Sequence, residues 1–197
     1  MIKTSWLLPL FLLLALPCLA QEKPGWEIFG GYTFQRSNVR EYFKPNPSLY
    51  SLTNSEANLN GWNVAATEDI NSWFGGTLDV SGVYKGTSLL GTSTNQQMYT
   101  FMYGPRIFHR FSWGTAFGHV VAGGSQANVS VPSPGPHAST LSFAMAPAVG
   151  LDLKFGSKTA IRAVQVEYLH ANALGNGQNN NLRVSAGVML YLPPTRH

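Results

Sequence analysis

The chain has 197 residues, a formal net charge of +4 and a charged fraction of only 11%. Ordinary soluble domains carry roughly 25% charged residues, so this composition does not favour a surface that faces water on all sides. The length fits one domain, and the mild positive charge gives no reason to expect a nucleic-acid partner.

The first 20 residues have the three parts of a cleaved bacterial secretory signal. Lys3 gives the charged start, residues 6–16 form an apolar stretch, and the segment closes on Ala20 before Gln21. The apolar stretch is too short to span a bilayer as a helix, which needs roughly 20 residues. We therefore expect cleavage after Ala20, with residues 21–197 forming the mature domain.

Cys18 leaves an alternative open, in which it becomes the lipidated first residue of a lipoprotein. Pro17 disfavours this alternative because a small residue is expected at its position. Cleavage after Ala20 leaves no cysteine in the mature chain, which excludes disulfides, cysteine zinc sites and thiol nucleophiles.

Beyond the signal, apolar and polar residues alternate with a period of two in one segment after another, which is typical of β-strands. The alternation predicts eight strands, at about 26–36, 62–67, 74–84, 98–104, 114–125, 141–152, 160–168 and 182–192. We expect the fourth strand to end at Gly104-Pro105-Arg106. On the fifth strand, Gly and Ala occupy both faces, so the alternation does not show which face points inward. On the seventh strand, the alternation places Ala160 on the same face as Val164.

The predicted connections alternate between long and short. The long ones cover about 37–58, 85–95, 126–139 and 171–180, and Pro132, Pro134 and Pro136 fall within the third. Outer-membrane barrels combine an even number of strands with short periplasmic turns and longer external loops. The sequence therefore predicts an all-β fold, an eight-stranded antiparallel up-and-down transmembrane β-barrel in the outer membrane, with both termini on the periplasmic side.

One face of the predicted strands is aromatic and aliphatic, whereas the other carries Thr, Ser, Gln and charged residues. A barrel in lipid needs its apolar face outside, and eight strands enclose an interior just wide enough to be filled by side chains. Unpaired buried charges are costly. We therefore expect Asp79, Glu167 and Arg183 to form a paired polar network of structural value inside the barrel.

The C-terminal run Ser185–Leu192 resembles the terminal-strand signal of outer-membrane barrels, with Gly187, Leu190 and Leu192 at its defining positions. It differs in ending on Leu192, where an aromatic residue is usual, and in the five residues that follow. The resemblance implies that the barrel-assembly machinery recognises the last strand through these positions.

More broadly, residues 26–192 resemble the porin-like, OmpA-like family of small eight-stranded outer-membrane barrels. Residues 26–32 (WEIFGGY) and 180–187 (NNLRVSAG) carry this likeness. It implies a barrel embedded in outer-membrane lipid, although members of the family differ in what they do. We expect a non-enzymatic role in envelope structure, envelope integrity or surface interaction, with no cofactor and with the loops as the surface for any external ligand.

Two other functions stay open. The segment around His170 is similar to the His-x-Ser-Asn-Ala stretch of lipid A deacylase barrels, but Asn172 stands where the serine nucleophile is needed. A lipid hydrolase would therefore need another nucleophile beside His170 or His119. A periplasmic carrier of an apolar ligand would instead need apolar side chains on the face that carries Asp79, Glu167 and Arg183. The histidines have no metal-ligand spacing, so no metal site is predicted.

Overall fold

Eight antiparallel strands pair in chain order, and the last strand pairs with the first to close a barrel. The computed structural model describes residues 25–43, 51–89, 92–130, 137–171 and 179–192. Its strands are β1 (Trp26–Phe43), β2 (Ser51–Asp69), β3 (Phe74–Leu89), β4 (Thr92–Arg110), β5 (Gly114–Ser130), β6 (His137–Lys154), β7 (Thr159–Ala171) and β8 (Asn179–Leu192). The predicted fold class is therefore confirmed. The predicted signal segment and the three loop prolines lie outside the described residues.

The strands are longer than the alternation predicts, and this corrects three of the predicted loops. β1 runs on to Phe43 and β2 begins at Ser51, so most of the expected 37–58 loop is paired strand. In the same way β3 and β4 pair through most of 85–95, and β5 and β6 pair through part of 126–139. The Asn, Ser, Thr and Gly residues in these segments suggested loops. The hydrogen bonds of a β-ladder, however, satisfy the backbone N–H and C=O groups whatever side chains the strand carries.

Pro105 does not end the fourth strand, as the sequence predicted, because β4 continues to Arg110. On one side the proline remains paired with Gly76 of β3. On the other side the ladder to β5 stops at Tyr103 and resumes at Arg106. Proline lacks a backbone N–H and so interrupts one ladder locally without terminating the strand.

A β-bulge in β7 corrects the predicted face of Ala160. Arg162 pairs with Gly187 of β8 and Gln165 with Ser185, so two residues of β7 oppose one of β8. An extra residue in a strand reverses which side chains point inward beyond it. Ala160 is consequently buried inside the barrel, and so is Arg162.

Two glycines fix the seam where the barrel closes. Gly31 of β1 lies directly opposite Gly187 of β8. A β-carbon at either position would collide with the backbone of the other strand. The close approach of β1 and β8 therefore requires glycine on both sides of the seam.

Among the residues whose burial is described, buried and exposed side chains alternate along each strand, and on β7 the alternation shifts by one residue at the bulge. Inward side chains are buried, and on β5, whose faces the sequence left open, they include Thr115, Phe117, His119 and Val121. Outward side chains are exposed and largely apolar. Within the described residues, no helix is long and apolar enough to cross a membrane.

Candidate functional site

The barrel interior brings together the three charged residues that the sequence singles out. Asp79 on β3, Glu167 on β7 and Arg183 on β8 have at most 1% of their side chains exposed. Nη2 of Arg183 donates to Oδ1 of Asp79 at 3.1 Å and also to Oε1 of Glu167. Asn63 donates to the other Asp79 oxygen at 2.8 Å. One buried arginine thus pairs with two buried carboxylates.

The strand register explains how these residues meet. Glu167 and Arg183 lie directly opposite each other on β7 and β8, with both side chains directed inward. Asp79 reaches the same guanidinium across the barrel from β3. The other terminal nitrogen of Arg183 donates to the hydroxyls of Ser81 and Thr100. The arginine therefore ties four strands of the barrel to one another.

A second buried ion-pair group lies nearer the chain termini, and the sequence analysis did not predict it. Arg106 donates to Glu27 at 2.7 Å and to Asp152 at 3.3 Å. Arg162 holds Asp152 with two hydrogen bonds, from Nε at 2.7 Å and from Nη2 at 3.1 Å. All four side chains are at most 2% exposed, so every carboxylate and guanidinium in this group is paired away from water.

Aromatic rings hold Arg162 in place. Its guanidinium carbon lies 4.2 Å from the ring centre of Phe29 and 4.3 Å from that of Phe117. Such stacking is favourable for a planar, delocalised cation. Gly31 and Gly150 make room for the two rings, because a β-carbon at either glycine would collide with the adjacent phenylalanine.

Gln165 connects the two groups. It accepts a hydrogen bond from Arg162 at 2.7 Å and donates one to Glu167 at 3.2 Å. We call the whole set the interior ion-pair chain, which comprises Glu27, Asp79, Arg106, Asp152, Arg162, Gln165, Glu167 and Arg183. At the rim near the termini, the half-exposed Arg110 extends it by pairing with Glu27 at 2.8 Å and with Asp69 at 2.6 Å.

The sequence contains only part of the signal for the second group. Glu27 and Asp152 stand on the inward face of a simple alternation, so their burial could have been anticipated. Arg106 was assigned to a strand end because of the preceding proline. Arg162 is turned inward by the bulge, which a count of alternating residues cannot reveal.

Two buried apolar clusters accompany the interior ion-pair chain. Towards the end of the barrel opposite the termini, a buried cluster contains Leu59, Val83, Met98, Met102, Val121, Ala144, Ala146, Leu169 and Ala171. Nearer the termini, Phe29, Ala65, Ala160 and Met189 pack together beside Tyr191. Charged and apolar side chains therefore fill the described interior together.

The histidines are not brought together. His119 is buried inside the barrel and stacks on Phe117, with ring centres 5.9 Å apart. Nδ1 of His170 lies 2.8 Å from Oδ1 of Asn180, while Asn172 lies outside the described residues. Among the residues described, no serine hydroxyl bonds to either histidine, and no cluster of three or more His, Cys, Asp or Glu could hold a metal ion.

The three residues of the C-terminal run have different surroundings. Gly187 lies at the barrel seam, where packing against β1 excludes a larger residue. Leu190 and Leu192 point outward and are about half exposed. The structure gives Gly187 a packing role, and the recognition of all three by an assembly machinery stays a prediction.

A closed eight-stranded barrel with paired charges inside and apolar side chains outside has the architecture of small outer-membrane barrels. Its fold is similar to Neisserial surface protein A (TM-score 0.65, 11% identity, 84% of this chain and 96% of that chain). It is also similar to Ail of Yersinia pestis, solved with the heparin analogue sucrose octasulfate (TM-score 0.57, 18% identity, 86% of this chain and 100% of that chain). OprG from Pseudomonas aeruginosa shares the fold as well (TM-score 0.53, 11% identity, 88% of this chain and 98% of that chain). A scan of protein-family models and a search of curated proteins found no match.

Proposed function

We propose that this chain is a non-enzymatic outer-membrane barrel that contributes to envelope structure or to interactions at the cell surface. The observation that carries the proposal is the distribution of polarity, with a buried ion-pair chain inside and an apolar exterior. Every strand exposes a large apolar side chain on its outer face, namely Tyr32, Val64, Tyr84, Phe101, Val120, Val149, Val166 and Val188.

The exterior is suited to hydrocarbon for two reasons. Apolar side chains exposed around the whole circumference would form a much larger patch than soluble monomers tolerate. The closed ladder also leaves no free sheet edge, which a lipid-exposed sheet must avoid. Strands of 13 to 19 residues exceed the roughly 9 to 11 needed to cross a bilayer, so the barrel projects beyond it.

The two ends of the barrel differ in a way that supports an orientation. All three connections at the end that carries the termini are short, with three or four residues at 70–73, 111–113 and 155–158, whereas those at the opposite end range from two residues at 90–91 to seven at 44–50. Short turns are typical of the periplasmic side. The opposite end, with the extended hairpin of β1 and β2, is then external and is the surface proposed for partners. In this scheme residues 1–20 direct export, and β8 is recognised during assembly through Gly187, Leu190 and Leu192.

The two alternative functions have less support. A carrier of apolar ligands needs an apolar lumen, whereas this lumen is crossed by Asp79, Arg183 and Glu167 in direct contact. A lipid hydrolase needs an activated nucleophile, and His170 is paired with the amide of Asn180. We therefore assign the interior ion-pair chain a structural role.

Cell fractionation with a heat-modifiability gel tests the proposal. We expect the full chain in the outer-membrane fraction, with unheated samples migrating differently from heated ones because a closed barrel resists detergent. A variant without residues 1–20 is the matched control and should stay in the cytoplasm. Recovery of the full chain as a soluble periplasmic protein with no mobility shift would contradict the proposal.

A further inference from the structure

An apolar groove crosses the exterior of the barrel from β4 to β8. It has a volume of about 510 Å³, and its lining includes the rings of two prolines, Pro105 and Pro147, and the bare backbone of Gly118. Val149, at its border, is 64% exposed, so the groove lies open on the outer face. Among the described residues that line it, none carries a formal charge at neutral pH other than the titratable His119, whose side chain is buried inside the barrel.

The strand register gives the groove two borders that lie two residues apart along each strand, about 6.6 Å, so the groove is narrow. Ile107, Gly118, Val149 and Val166 lie opposite one another on successive strands and form one border. Val120 with Pro147, and Tyr168 with Leu182, continue the other border. Since neighbouring strands lie about 4.8 Å apart, a groove across five strands is about 19 Å long.

Both prolines interrupt a ladder beside the groove. The β4–β5 ladder has its gap at Pro105, and the β6–β7 ladder stops at Met145 and resumes at Ala148, on either side of Pro147. Proline is rare in central strands, and an unsatisfied backbone group is costly in hydrocarbon. Two such residues bordering one groove indicate that the depression is a built feature of this surface.

We propose that the groove binds one acyl chain of a membrane phospholipid. This inference rests on the proposed membrane location, because the groove is continuous with the apolar exterior. A hydrocarbon chain matches its length and its uncharged lining, and the lining offers no cationic partner for a head group. A second copy of the barrel would present a convex wall, which cannot enter a narrow groove. The occupant is therefore a flexible apolar chain.

Gly118 provides a clean way to block the groove. A β-carbon there would lie 3.6 Å from the Ala148 carbonyl oxygen and 3.9 Å from a Val149 methyl, which is ordinary contact. Gly118→Leu therefore fills the groove without disturbing the backbone. Gly30→Leu is the matched control, since Gly30 lies on β1, across the barrel, and a β-carbon there meets nothing within 4 Å.

The test reconstitutes the barrel in phosphatidylethanolamine and phosphatidylglycerol vesicles that contain a trace of phospholipid with a diazirine near its chain end. After illumination, peptide mapping should find labelling at Ile107 and Val149 several-fold above that at Val64 and Val188, which are outward residues outside the groove. Gly118→Leu should reduce the groove labelling several-fold, whereas Gly30→Leu should leave it unchanged.

Two results would overturn the acyl-chain site. They are even labelling around the circumference and groove labelling that survives Gly118→Leu. The proposed function is tested separately, before the labelling experiment. A chain that does not enter vesicles or show a heat-dependent mobility shift contradicts the membrane location itself.

Discussion

Removing the guanidinium of Arg183 is the strongest test of the buried charge arrangement. Arg183→Met keeps much of the side-chain volume but leaves Asp79 and Glu167 without their shared cation, and both carboxylates are at most 1% exposed. Removing one partner of a buried ion pair typically costs about 3–5 kcal/mol. Because two carboxylates lose their partner, we expect a loss near 5 kcal/mol, a large part of the roughly 5–15 kcal/mol that stabilises a domain.

The measurement is urea unfolding in phospholipid vesicles, followed by tryptophan fluorescence and by the mobility of unheated samples. Arg110→Met is the matched control, because Arg110 also contacts two carboxylates but is 38% exposed at the rim. Its loss leaves no buried carboxylate without a cation, because Glu27 keeps Arg106 and Asp69 lies at the rim. We expect Arg183→Met to be several kcal/mol less stable than this control.

A triple variant separates the loss of the pair from the loss of packing. Asp79→Asn and Glu167→Gln, combined with Arg183→Met, remove the stranded charges while keeping similar shapes. We expect this variant to recover much of the lost stability, because burying a neutral amide costs far less than burying an unpaired carboxylate. Equal stability of Arg183→Met and Arg110→Met would refute the reasoning, because it would mean that water reaches Arg183.

Three further predictions concern the exterior, the bulge and the seam. Val188→Arg, on the outer face of β8, should cost about 2–4 kcal/mol in vesicles if that position lies near the bilayer midplane, and an unchanged urea midpoint would contradict a lipid-facing surface. Deleting Ala163 should remove the bulge and turn Arg162 outward, so that no heat-shifted band forms, whereas Ala163→Ser should fold normally. Gly187→Ala should prevent refolding even in purified lipid because of the collision at the seam, whereas Leu192→Ala should refold in lipid and lose yield only in cells. Normal refolding of Gly187→Ala would contradict the packing role.

How much of the fold the sequence predicts depends on the regularity of each strand. The number of strands and the inward position of Asp79, Glu167 and Arg183 follow from a period of two, which holds wherever a strand has no insertion. The period fails at the β7 bulge, and Arg162 was missed for that reason. The predicted strands ended too early because the polar residues at their ends were interpreted as loops. Their backbones are in fact paired with the neighbouring strands.

The contacts inside the barrel could not be predicted in the same way. Alternation shows which face a residue occupies, but it carries no information about which residues meet across the lumen. Glu27 and Arg106 are 79 positions apart in the chain and come within 2.7 Å only because of the register of all intervening strands. That register is a property of the closed barrel and is not written into any one segment.

The buried charges and the apolar exterior together make the register of this barrel specific. A slip of one residue in any strand exchanges its two faces, which would carry an arginine or carboxylate into hydrocarbon and a bulky apolar side chain into the lumen. In a soluble barrel with a hydrophobic core, such a slip exposes apolar groups to water. Here the penalty also includes the buried charge that loses its partner, for example Asp152 without Arg162. The interior ion-pair chain therefore contributes more to selecting one arrangement of the strands than to the net stability of that arrangement.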